Sequence, residues 1–88
     1  GGRGALDRLV LAAGGPAPAG AEVELLGDNK EFFVARRGEA FVTGLQERNR
    51  IRLKHKGQTC TVAVTLPPAG NDDTIARVGP LTCSGLAR

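Results

Sequence analysis

The sequence predicts an all-β fold, a sandwich of about seven short strands, and three observations lead there. Thirteen glycines and five prolines cut the 88 residues into runs of roughly four to eight, the spacing of strands in a sandwich or barrel. Within those runs apolar and polar residues alternate with period two. Nothing in the sequence reads as a long helix. The length is that of one domain, near the size at which a single core becomes marginal. Phe32, Phe33 and Phe41 are the only aromatic residues and there is no Met, so Val, Leu, Ile and Ala must build the core.

The first strand is expected over Leu6 to Ala13, with Leu9, Leu11 and Ala13 on one face. Gly14-Gly15-Pro16-Ala17-Pro18-Ala19-Gly20 cannot extend it and forms a rigid loop. Ala21 to Leu26 sets Ala21, Val23 and Leu25 against Glu22 and Glu24, and Gly27-Asp28-Asn29-Lys30 turns the chain. Glu31 to Arg36 and Glu39 to Thr43 flank Arg37-Gly38, which reads as a short hairpin, and Gly44 closes that unit. Arg50 to Lys56 and Thr59 to Leu66 alternate strictly across a Lys56-Gly57-Gln58 turn. Ile51, Leu53 and His55 share one face of that pair, as do Cys60, Val62, Val64 and Leu66. Pro67 and Pro68 end the strand, Asn71-Asp72-Asp73 is a polar loop, and Thr74 to Cys83 is a last strand interrupted by Gly79-Pro80. The domain is assigned to residues 6–88, with residues 1–5 a linker or expression remnant.

Cys60 and Cys83 are the only cysteines. Each shares parity with inward apolar neighbours, Val62 and Val64 for one and Leu81 for the other. A bridge between them ties the final strand to the core and stabilises by about 3 kcal/mol on the chain-entropy estimate; two buried free thiols are the other reading. A disulfide implies an oxidising compartment. With no signal peptide and no apolar run of spanning length, an excised piece of a larger exported protein is the expectation.

No catalytic constellation is expected. His55, the single histidine, ends an alternating strand with no nucleophile motif or phosphate-binding glycine loop beside it. Asp28, Asp72 and Asp73 lack the oxygen-ligand spacing of a calcium loop, and two cysteines without a CxxC are too few for structural zinc. Neither a cofactor nor a metal is therefore expected. Arg50, Arg52, Lys54 and Lys56, with Arg48 before them, project from one sheet face. Such a ladder suits a solvated face, protection of a sheet edge with Glu22, Glu24, Glu31 and Glu39 nearby, or contact with a protein partner. Nucleic acid is disfavoured, because no aromatics interleave the charges.

Two stretches are more specific. Leu9-Val10-Leu11-Ala12-Ala13-Gly14-Gly15-Pro16-Ala17-Pro18-Ala19-Gly20-Ala21-Glu22-Val23 resembles the pattern apolar strand, Gly-x-Pro-Leu-Pro-Phe-Gly-Ala-x-Val, with Ala17 for the usual Leu and Ala19 for Phe. Val34-Ala35-Arg36-Arg37-Gly38-Glu39-Ala40-Phe41-Val42-Thr43-Gly44-Leu45 resembles Val-Gly-x-x-Gly-x-Val-Tyr-Leu-Thr-Gly-Leu, with Ala35 for a glycine. Ile51-Arg52-Leu53-Lys54, then Gly57 and Cys60, is similar to an alternating strand, Trp-Gly and Cys, with His55 or Lys56 where Trp is usual. These are the patterns of the C-terminal domains of fimbrial outer-membrane ushers, and the likeness runs from about Leu6 to Cys83.

The resemblance implies a transthyretin-like or Ig-like sandwich on the periplasmic side of an outer-membrane usher. It also implies a binding role without enzymatic activity or cofactor, holding chaperone–pilin subunit complexes during pilus assembly and secretion. Other usher domains (plug, N-terminal domain, barrel) are further expected partners; nucleic acid is not, and the domain itself is not membrane-inserted. Partner contact is expected at Phe33 and Phe41, of which the first competes with Phe32 for the inward position, and at Arg50, Arg52 and Lys54. The rival expectation is a transthyretin-like structural stalk module of a bacterial surface protein.

Overall fold

The structure, a computed structural model, describes residues 2–68 and 75–86. Seven strands form two packed sheets: β1 (Arg3–Leu11), β2 (Glu22–Leu25), β3 (Lys30–Phe33), β4 (Glu39–Leu45), β5 (Arg48–His55), β6 (Gln58–Thr65) and β7 (Ala76–Cys83). One sheet has the order β4-β1-β7 and the other β3-β2-β5-β6. All pairings are antiparallel except β1 with β7, which is parallel. The all-β sandwich predicted from alternation is the fold observed. Among the described residues no helix is long and apolar enough to cross a membrane.

The alternation of β2, β5 and β6 translates directly into layers. Val23, Leu25, Ile51, Leu53, Val62 and Val64 point into the core from one sheet; Ala5, Leu9, Leu11, Ala40 and Val42 meet them from the other. The β5–β6 hairpin turns on Lys56 and Gly57, both at positive φ, as a two-residue turn of the hand that suits strand twist. Cys60 and Cys83 are bonded, with Cα atoms 5.7 Å apart and 23 positions apart in sequence. The bridge joins β6, at one side of its sheet, to β7, at the matching side of the other. It therefore staples the two layers together.

Three expectations need correction. β1 begins at Arg3, so Arg3 to Ala5, read as linker, are strand, and Ala5 is fully buried. The same strand stops at Leu11, leaving Ala13 exposed. The chain folds back there instead: the Leu11 amide donates to the Gly15 carbonyl and the Ala17 amide to that of Leu9, at 2.8 and 2.9 Å. Ala17 thereby enters the core.

Arg37-Gly38 is not a hairpin, because β3 pairs with β2 while β4 pairs with β1. The segment is a crossing between sheets through a short 3-10 turn, Arg36–Gly38. Gly38 has φ +74°, and a Cβ there would overlap the Leu9 carbonyl oxygen, so the crossing requires glycine. The interruption expected at Gly79-Pro80 lies within β7, where the pairing with β1 shifts register between Asp7 and Leu9. The Asn71-Asp72-Asp73 loop, and Thr74 at the expected start of the last strand, fall outside the described residues.

Candidate functional site

The five residues expected to meet a partner lie on opposite outer faces. On the four-stranded sheet, β5 presents Arg48, Arg50, Arg52 and Lys54 to solvent, because Ile51 and Leu53 of opposite parity are fully buried. Phe33 is on this face too: the register runs Phe33–Glu22–Lys54–Thr59 across the four strands. Phe32, of opposite parity, packs against the core, leaving Phe33 57% exposed. The competition between the two phenylalanines is thus resolved by pleat.

Edge protection is excluded as the ladder's role, since β5 is an interior strand between β2 and β6. Glu22 and Glu24 do neighbour the ladder, opposite Lys54 and Arg52. Glu39, expected nearby, is in the other sheet, paired with Arg8. The Arg52 Nε lies 3.9 Å from Glu24 Oε1, both side chains nearly half exposed. A pair of that kind stabilises by at most about 1 kcal/mol. Among the described residues Arg48 and Arg50 have no ion pair, because β2 ends at Leu25 and offers them no carboxylate.

Phe41 belongs to the outer face of the three-stranded sheet, where it pairs with Leu6 of β1. Its ring lies over Gly4, whose missing side chain leaves room for it. Across β1 the register neighbour of Leu6 is Arg77 of β7, and Ile75, two positions before Arg77, has its parity; Phe41 and Ile75 are 46% and 54% exposed. Neither Ile75 nor Leu6 was expected from sequence to belong to a binding face. Parity of Leu6 with Phe41 across β1 and β4 carries that information only once the pairing is known.

Two shallow depressions flank these faces. One is lined by Leu26, Gly27, Asp28, Gly44, Arg48 and Arg50, the other by Arg8, Gly14, Pro16, Arg37 and Glu39. Among the described residues no group of three or more His, Cys, Asp or Glu side chains is placed to hold a metal.

One charged residue lies inside the core. Asp7 is fully buried, and among the described residues neither carboxylate oxygen has a hydrogen-bond partner. Burial alone pushes its carboxyl up to about 7, because the charged form loses water and gains nothing in return. Its burial was not anticipated from sequence, although Asp7 has the parity of Leu9 and Leu11.

The fold is a disulfide-stapled β-sandwich module that bares phenylalanines and a cationic stripe on its outer faces. The chain belongs to the PapC C-terminal domain family, whose model matches residues 6–68; it is an usher C-terminal domain of the chaperone–usher pathway. Two solved structures have the same fold. The structure of the Caf1A usher C-terminal domain is 22% identical, with a TM-score of 0.80 over 93% of this chain and 97% of that one. It is described as bearing conserved surface hydrophobic clusters important for F1 antigen assembly. The crystal structure of the C-terminal domain of the PapC usher is 24% identical, with a TM-score of 0.69 over 93% and 99%. At these identities the likeness is one of fold. Among curated proteins no sequence matches significantly. The family match favours the usher over the stalk module.

Proposed function

We propose that this domain works on the periplasmic side of an outer-membrane usher, where it holds chaperone–pilin subunit complexes during pilus assembly and secretion. The observation that carries the reading is the apolar area around Phe41, Leu6 and Ile75 on a family member of this pathway. Large exposed apolar side chains gathered on one sheet face mark a surface that a partner covers, and aromatic residues at such a place supply much of the binding energy. The Caf1A domain, of the same fold, is described as bearing surface hydrophobic clusters important for assembly, which is in keeping with a role for exposed apolar residues here.

The second face contributes differently. Phe33 adds an aromatic contact, while Arg50, Arg52 and Lys54 supply long-range attraction that raises the encounter rate more than the final affinity. Holding a partner is binding alone, and no cofactor enters it. The plug, N-terminal domain and barrel of the usher are the remaining neighbours in this reading.

The test is made in cells. An usher truncated before Leu6 should insert its barrel but leave the surface without fibres. Normal piliation from that truncation would end the proposal.

A further inference from the structure

Strand β6 ends the four-stranded sheet, and its composition is unusual for an edge. Gln58-Thr59-Cys60-Thr61-Val62-Ala63-Val64-Thr65 contains no charged residue and no proline, and its pairing with β5 runs without a bulge. Those are the devices by which proteins keep a sheet edge from accepting another strand. The other edges do carry them: Lys30 and Glu31 on β3, Glu39 on β4, Arg77 and Gly79-Pro80 on β7. At the start of β6 the edge is covered, since Gly85 packs close to the Thr59 carbonyl oxygen. Over Thr61 to Thr65 no backbone group bonds to a further strand or turn among the described residues.

The side chains beside that edge point to what it takes. On the outer face β6 shows only short residues, Thr61, Ala63 and Thr65, all exposed. Behind them in register stand Arg52, Arg50 and Arg48. A strand added to β6 lies two strand spacings from β5, roughly 10 Å. An arginine and a glutamate side chain reaching toward each other over a threonine or alanine cover that distance. Arg52 already has Glu24, whereas Arg48 and Arg50 are without a carboxylate among the described residues.

We propose that β6 pairs its open edge, Thr61 to Thr65, with an extended acidic segment of a partner protein, which becomes a fifth strand and sets its carboxylates against Arg48 and Arg50. Main-chain hydrogen bonds give such strand addition its affinity, and the alternate side chains give its specificity. The proposal goes beyond the holding role assigned above.

The test uses the 15N-labelled 88-residue chain and a heptapeptide of alternating valine and glutamate, with a valine–lysine peptide as control. The acidic peptide should shift the amides of Thr61 to Thr65, slow their hydrogen exchange, and bind less tightly as salt rises. Ala63→Glu adds a carboxylate at an exposed position beside Arg50; it should leave the fold intact and weaken peptide binding by about tenfold. Absence of shifts at Thr61 to Thr65 overturns the proposal, as does equal binding of the lysine peptide or of the Ala63→Glu variant. A concentration-dependent dimer in sedimentation, with the same amides protected, assigns the edge to a second copy and overturns it too. No pilus component enters this experiment, so its failure leaves the holding role untouched.

Discussion

Asp7 occupies a position where its strand has no alternative to facing inward. Its register neighbours are Ala40 on β4 and Val78 on β7, and it is the only buried charged residue among those described. Among the described residues its carboxylate has neither a hydrogen-bond partner nor an ion pair, so protonation relieves the cost of burying it. An aspartate with its folded pKa raised from 3.8 to about 7 contributes stability that is fully present below about pH 4. That contribution is lost as pH rises to about 7, because the folded state then binds more protons than the unfolded one. Melting temperatures between pH 4 and 8 should therefore fall more steeply for the native chain than for Asp7→Asn, which should be the more stable at pH 8. Parallel curves would show that Asp7 finds a partner. The signal was present in the sequence as parity with Leu9 and Leu11; Asp7 is hidden because a carboxylate is not what alternation leads one to place inside.

At the scale of elements, strands with strict alternation were readable and the connections were not. For β2, β5 and β6 the buried set follows from alternation, because the apolar residues Val23, Leu25, Ile51, Leu53, Val62 and Val64 share one face and the polar residues of that face, Asn49, His55 and Gln58, fall near the strand ends. Gly38 shows the opposite case. Its neighbourhood looks like a hairpin locally, and only the contact with the Leu9 carbonyl oxygen, distant in sequence, explains why the chain crosses between sheets there. The ladder was visible as a face, but its interior place in the sheet depends on β6 lying outside it. The disulfide followed from inward parity and from there being only two cysteines. It joins the rims of both sheets across 23 positions and restricts the unfolded chain by about 3 kcal/mol. In a domain of this size that amounts to roughly 12–24 °C of melting temperature. Calorimetry of the Cys60→Ser, Cys83→Ser chain should show a drop of that order; an unchanged melting temperature would mean that the layers hold without their staple.

The described residues form two layers with different chemistry on their two outer faces. Phe41, Leu6 and Ile75 give one face an apolar centre, and the other combines Phe33 with the cationic column of β5. Motif order made the family readable, since Gly38, Gly44 and the paired cysteines answer to backbone and crosslink requirements of the fold. The binding faces were less readable, because exposure on one face or the other depends on strand pairings that single strands do not encode. The holding role is probed most directly by titration calorimetry of the purified domain against the chaperone–pilin complex of its own operon, and against chaperone alone. The complex should bind more tightly than the chaperone, with a loss of about 2 kcal/mol or more for Phe41→Ser if that ring anchors the contact. Equal affinity for complex and chaperone, or no binding of either, would contradict the holding role.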